Sequence, residues 1–171
     1  MKSDTGDRHT TPPSAPGPQF RTFEGLEVYQ AARAFRGTMY GVSRKLPGFE
    51  RFELASQIRR ASVSLTNNIA EGHGRFHWLE QIRFTLQSRG SLEELIDDLN
   101  VCEDENYLPT TEVEAFKQEG WRVHQLLNGY LRYLRQRQQG ASLALHDSAL
   151  PTSLDLADLD ELLGSPGRHT P

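Results

Sequence analysis

Apolar residues in this chain recur at steps of three and four, and they do so in four separate stretches. From about Glu24 to Leu46 the positions Val28, Ala32, Phe35, Met39, Val42 and Leu46 form one stripe. A stripe of period near 3.5 marks a helix that buries a single face. Pro47-Gly48 ends it. A second stretch opens near Arg51, presents Leu54, Ile58, Ala61 and Leu65, and stops at Gly72 and Gly74. Asn67 and Asn68 are poor interior helix residues, so an irregular last turn is expected there. The third runs from about His77 to Asn106 and turns Leu79, Ile82, Leu86, Leu92, Leu95, Leu99 and Cys102 inward. Gly90 interrupts that stripe at a place suited to a close helix neighbour. Pro109 and Thr111, with Glu114 three residues on, read as a capping box. It opens a fourth helix carrying Val113, Phe116, Gly120, Val123, Leu127, Tyr130 and Leu134. No stretch alternates with period two. Tight connections force neighbouring helices to run antiparallel, so the expected fold is all-α, an up-down-up-down four-helix bundle.

The flanks read differently. Residues 1–20 hold Pro12, Pro13, Pro16 and Pro18 among Ser, Thr and Gly, with nothing to bury, and are expected to be disordered. The bundle is assigned to residues 21–139. Beyond Gly140 the pattern dissolves, and residues 140–171 read as an acidic, leucine-bearing flexible tail. Within it Leu154, Leu156, Leu159, Leu162 and Leu163 alternate with Asp155, Asp158, Asp160 and Glu161. That piece reads equally as a short docking helix or as a solvated segment.

Some apolar residues fall off the inward stripes. Val63 lies about 200° around its helix from Ala61, as does Phe84 from Ile82, and Trp121 follows Gly120. Ile96, Leu126, Leu131 and Tyr133 add to the set. Spread over three helices, they suggest a second buried surface and hence self-association. The alternative is a wide core stripe whose edges are wrapped by long side chains.

Composition narrows the class. The 171 residues are 36% hydrophobic and 25% charged, enough for one domain with a core. No apolar run approaches the ~20 residues of a membrane span, and residues 1–19 hold no apolar signal segment. Cys102, the single cysteine, excludes an internal disulfide and a multi-cysteine zinc site. A cytoplasmic location is the simplest expectation. The net charge of −4 comes entirely from residues 140–171, which hold one arginine and five acids, whereas residues 20–139 hold 16 basic and 16 acidic residues. The overall balance therefore does not exclude an anionic ligand for the folded part.

Four ordered blocks carry a family resemblance. They are Phe23-Glu24-Gly25-Leu26-Glu27-Val28-Tyr29, then Ser56-Gln57-Ile58-Arg59-Arg60-Ala61, then Asn68-Ile69-Ala70-Glu71-Gly72 followed by Gly74-Arg75, and Gly90-Ser91-Leu92-Glu93-Glu94-Leu95. From Phe23 to about Leu134 the chain resembles the bacterial four-helix bundle family of the 23S rRNA intervening-sequence protein. The resemblance implies a ring, typically a homopentamer, without known catalytic activity. More distantly the chain is similar to accessory proteins of diversity-generating retroelements, which form basic pentameric barrels and work with nucleic acid and a reverse transcriptase. Thr66 stands where the family often has proline, and Tyr29 where tryptophan is frequent.

In the antiparallel arrangement one end gathers Arg75, Arg83, Arg132, Arg135 and Arg137, with His73 and His77 nearby, and the other gathers Glu93, Glu94, Asp97, Asp98, Glu103, Asp104 and Glu105, partly offset by Arg44, Lys45 and Arg51. Repeated around a ring, such a basic end is a nucleic-acid-binding candidate. The structural alternative is that these arginines complement a helix dipole and pair with nearby acids. Arg59 and Arg60 flank the core stripe and are read, with Val63, Phe84 and Trp121, as subunit-interface residues, bridging to Glu71 or Glu53 of a neighbour. No residue set points to catalysis, a cofactor or a metal: Gly72 and Gly74, before and between His73 and His77, keep the two imidazoles off one helix face although Glu80 follows, and Cys102 falls on a core stripe beside Glu103 and Asp104. The expected function is a non-enzymatic, ring-forming bundle, by resemblance a homopentamer, that binds RNA or DNA or scaffolds a nucleic-acid-processing partner. The alternative is a protein-interaction scaffold displaying its tails, with no membrane partner.

Overall fold

A computed structural model describes residues 22–149, with side chains to residue 143. The expectations for residues 1–20 and for the leucine-bearing piece 150–163 lie outside the described residues. The elements are a one-turn 3₁₀ helix Phe23–Gly25, α1 Glu27–Lys45, a second 3₁₀ turn Gly48–Arg51, α2 Leu54–His73, α3 Trp78–Asp104 and α4 Thr110–Ala149. Among the described residues there is no strand.

Side-chain pairs give the topology. Thr38 donates to Glu119 at 2.8 Å and Lys45 pairs with Glu112, so α4 descends as α1 rises. Gln57 donates to Asp98 at 3.1 Å and Ser91 to Ser64 at 2.8 Å, which sets α3 antiparallel to α2. Lys117–Glu103 at 3.3 Å and His124–Glu93 at 3.4 Å do the same for α3 and α4. The bundle is up-down-up-down.

Local chemistry explains the ends. Leu46 is extended, with ψ 151, as a residue before proline must be. Glu50 turns its carboxylate onto the Leu54 N–H at 3.1 Å, satisfying a free donor at the start of α2. Helix α3 ends with Asn106 at φ 58, its N–H donating to the Glu103 carbonyl at 3.0 Å and that of Tyr107 to the Cys102 carbonyl at 2.9 Å. This is a Schellman motif with asparagine in the left-handed position. Helix α4 starts at Thr110, with the Pro109 carbonyl accepting from Glu112 and Val113, so Thr111 lies inside the first turn and not at the cap.

The core repeats most of the inward stripes. Phe35, Met39, Ile58, Leu65, Leu92, Leu95, Leu99, Leu127 and Leu134 are fully buried. Four expectations are corrected. Leu79 is 64% exposed, because it lies in the first turn of α3 where α2 has already ended. Gly90 faces open space and receives no neighbour within the chain. Leu131, set off the inward stripe as part of a second apolar surface, is buried within the chain with Ile82 and Leu134, where the α4 stripe widens against α3. Helix α4 does not stop at residue 139 but continues to Ala149, although its packing does stop: Leu143 is 69% exposed.

The α2–α3 seam is lined by small residues. Ser62, Thr66, Thr85, Ser88 and Ser91 are buried; the first three donate to carbonyls of their own helix, whereas Ser88 crosses to the Leu65 carbonyl at 2.7 Å and Ser91 to Ser64. Small side chains let the two backbones approach, and at Gly72 a Cβ would stand 2.9 Å from Phe84 Cβ. Asp98 is the exception among satisfied polar groups. It is 3% exposed, takes the Gln57 amide on Oδ1, and leaves Oδ2 without a partner. Burial, with Asp97 and Glu94 nearby, pushes its carboxyl up to about 6 against the Gln57 bond.

Candidate nucleic-acid interface

The arginine-rich end is built by the α2–α3 turn and the descending end of α4. Gly74 N–H donates to the Ala70 and Glu71 carbonyls, and Arg75 N–H to Gly72, which closes α2. Arg75 then folds back: its guanidinium pairs with Glu71 and lies 4.8 Å over the Phe84 ring, while Gln81 donates to its carbonyl at 2.8 Å. Its charge is compensated. Arg137 donates to the Tyr133 hydroxyl at 3.2 Å and lies 5.3 Å over that ring, a contact that orients the guanidinium without neutralising it.

Arg83, Arg132 and Arg135 are exposed and, among the described residues, meet no carboxylate within 4.0 Å. The register that pairs Glu93 with His124 brings Arg83 level with this part of α4. At about 100° per residue Arg132 and Arg135 lie some 60° apart, whereas Arg137 is turned about 140° from Arg132. The five arginines thus share an end of the bundle but not one face. His77 is the N-cap of α3, its carbonyl accepting from Glu80 and Gln81 at 3.1 Å. Among the described residues no group of three or more His, Cys, Asp or Glu is placed to hold a metal ion.

The five interface residues separate onto three places. Arg59, Arg60 and Val63 lie together on the outer side of α2. Phe84 is half-buried beneath Arg75. Trp121, 43% exposed, sits edge-on to His124 at 5.6 Å on α4. Within the chain Arg59 and Arg60 donate to neutral acceptors, the Arg51 carbonyl and the Ser56 hydroxyl, both at 3.0 Å.

Sequence reasoning missed the partners of that α2 patch. Arg33, Arg36, Tyr40 and Arg44 of α1 recur at steps of three, four and four, a polar counterpart of the core stripe on the outer face. Two adjoining depressions between α1 and α2, of about 560 and 610 Å³, share Tyr40 and Val63. Arg36 reaches across the helices to Thr66 at 2.8 Å. The lining of both holds five arginines and no acid.

At the other end several charges are paired. Lys45 pairs with Glu112 and Lys117 with Glu103, and the Tyr107 hydroxyl donates to Glu50 at 2.8 Å. Cys102 is fully buried, and burial beside Asp98 and Glu50 pushes its thiol up to about 11. A thiol so protonated is a packing group, and it is expected to resist a water-soluble disulfide reagent at pH 8 until the chain is unfolded. Rapid labelling of the native protein would contradict that.

These features define an all-helical bundle that carries arginines at one end and along one groove. The family of the 23S rRNA-intervening sequence protein matches residues 24–129, more than half of the chain, and the protein belongs to that family. No curated protein matches it. No described helix is long and apolar enough to cross a membrane.

Proposed function

We propose that this protein is a non-enzymatic cytoplasmic bundle that closes into a ring, a homopentamer, and binds nucleic acid, or holds a nucleic-acid-processing partner, through its arginine-rich end. One observation carries the reading: Arg83, Arg132 and Arg135 stand level on neighbouring helices with no carboxylate partner among the described residues. Cations left uncompensated are what a phosphate backbone uses, and a ring multiplies them. Light scattering is expected to give about five times the 19.4 kDa of one chain. A nonspecific oligonucleotide is expected to bind with an affinity that falls steeply between 50 and 200 mM salt. Changing Arg132, Arg135 and Arg137 to glutamine flattens the log–log slope by about 2 to 3, some 0.7–0.9 for each lost phosphate contact. A monomer, or binding indifferent to salt and to these changes, removes the proposal.

A second reading has its own support. Helix α4 projects to Ala149, past Leu134, the last buried residue among the described side chains, and exposes Leu143. A helical extension of this kind suits a scaffold that offers its C-terminal segment to protein partners. That reading gains if oligonucleotides fail to bind while partners depend on residues 140–171.

A further inference from the structure

We propose that the α1–α2 groove is a second nucleic-acid tract, built for a single strand and not for a duplex. It rests on the nucleic-acid reading above but on different residues.

The charge comes first. Arg33, Arg36 and Arg44 of α1 line one depression and Arg59 and Arg60 of α2 the other, the two join at Tyr40 and Val63, and no carboxylate lines either one. The domain from residue 20 to 139 is neutral overall, so five arginines without an acid are a local separation of charge. Where the groove continues toward the start of α1, Glu24 enters its lining and ends the basic tract.

The bonding of these arginines comes second. Arg36 donates to Thr66, Arg59 to a carbonyl and Arg60 to a hydroxyl, all neutral acceptors at 2.8–3.0 Å. Such bonds hold the guanidinium planes in place and leave their charge available. Arg75, at the bundle end, shows the opposite case, a guanidinium consumed by Glu71. A pre-positioned cation loses less side-chain freedom when an anion arrives.

The aromatic selects the strand. The two depressions are shallow and open, so width does not exclude a duplex; a base stacked on a side chain must be unpaired, which a single strand offers. Gly37 is open above its Cα, so the floor between Arg36 and Tyr40 carries no side chain. Tyr40 lies at the junction of the two depressions, half-buried, as a platform for one base. A basic furrow interleaved with an aromatic is the usual arrangement for single strands. From Arg33 to Arg44 the tract spans about 16 Å, room for about five stacked nucleotides at 3.4 Å each.

The test uses the full chain and a fluorescent 12-nucleotide single strand, with a 12-base-pair duplex for comparison. The variant R33Q/R44Q/R60Q spares Arg36, whose bond to Thr66 ties α1 to α2. Its fold is checked by circular dichroism and its mass by light scattering. Expected are a loss of single-strand affinity of at least tenfold at 100 mM salt and a salt slope reduced by about 2, from ~0.7 per contact. Tyr40→Leu weakens single-strand binding about fivefold or more with the slope unchanged, the mark of stacking rather than charge. Duplex binding is little altered by either change. Unaltered single-strand affinity and slope in the arginine variant overturn this inference. So does duplex binding that is equally tight and equally sensitive, or a drop in molar mass, which assigns the groove to a second copy of the chain. The two proposals fail separately. Wild type that binds no oligonucleotide removes the function itself, whereas loss in R132Q/R135Q/R137Q alone leaves the function standing and removes only the groove.

Discussion

Gly72→Val is expected to lower the unfolding free energy by about 3 kcal/mol, measured by urea denaturation, and Gly72→Ala by a smaller amount of the same sign. By helix propensity alone alanine would be an improvement of about 1 kcal/mol over glycine within a helix. Packing reverses the sign. A Cβ at residue 72 meets Phe84 Cβ at 2.9 Å and the Gln81 carbonyl oxygen at 3.4 Å. Neither is the loose end of a side chain, so relief requires α2 and α3 to part where the turn Gly74–His77 joins them. Gly37 supplies the control. It also lies inside a helix, but nothing stands within 4 Å of its Cβ position, and Gly37→Ala is expected to stabilise by about 0.5–1 kcal/mol. Equal effects at the two positions would mean that the helices do not approach as described.

The second large effect concerns Asp98. Its unfolded carboxyl titrates near 3.8 and its folded one near 6, so the native state favours the protonated form. Below about pH 3.8 both states are protonated and the group costs nothing. As pH rises toward 6 the unfolded chain loses its proton first and gains stability relative to the native state. Above about 6 the whole penalty is in place, roughly 3 kcal/mol at 1.36 kcal/mol per unit. Asp98→Asn removes it and keeps an Oδ1 acceptor for Gln57. The variant is therefore expected to be about 2–3 kcal/mol more stable than wild type at pH 7.5, and nearly equal to it at pH 4. Denaturation at both values decides the matter, and a variant equally stabilised at pH 4 would locate its effect in packing. No use of this carboxyl follows from the described contacts.

Much of the fold was legible because burial on a helix is a matter of phase. Val28, Ala32, Phe35, Met39 and Val42 stand where a 3.5-residue period puts them, and all are buried. Phase does not say how far the neighbour extends. Leu79 has the right phase and no partner, since α2 has already ended, and Leu131, about 40° around the helix from Leu127, lies at the edge of the stripe and is buried because Ile82 covers it. The same limit governs the surface. Arg59 and Arg60 stand out as a pair in the sequence, but their company with Arg33, Arg36 and Arg44 exists only because α1 and α2 pack side by side. The five arginines at the bundle end, grouped by topology, prove level but splayed, because 100° per residue turns i and i+5 apart.

By itself the order of residues determined four amphipathic helices, their breaks at Pro47-Gly48, Gly72–Gly74 and Asn106–Pro109, and membership of one family over residues 24–129. Each of these depends on backbone preference and on periodicity along a single segment. Tertiary structure alone decided that Gly72 is a contact and Gly37 is not, that Asp98 is stranded in the α2–α3 seam, and that five arginines share one furrow. Those outcomes depend on distances between segments, which are set by how side chains of two helices fit together and are written in neither helix taken alone.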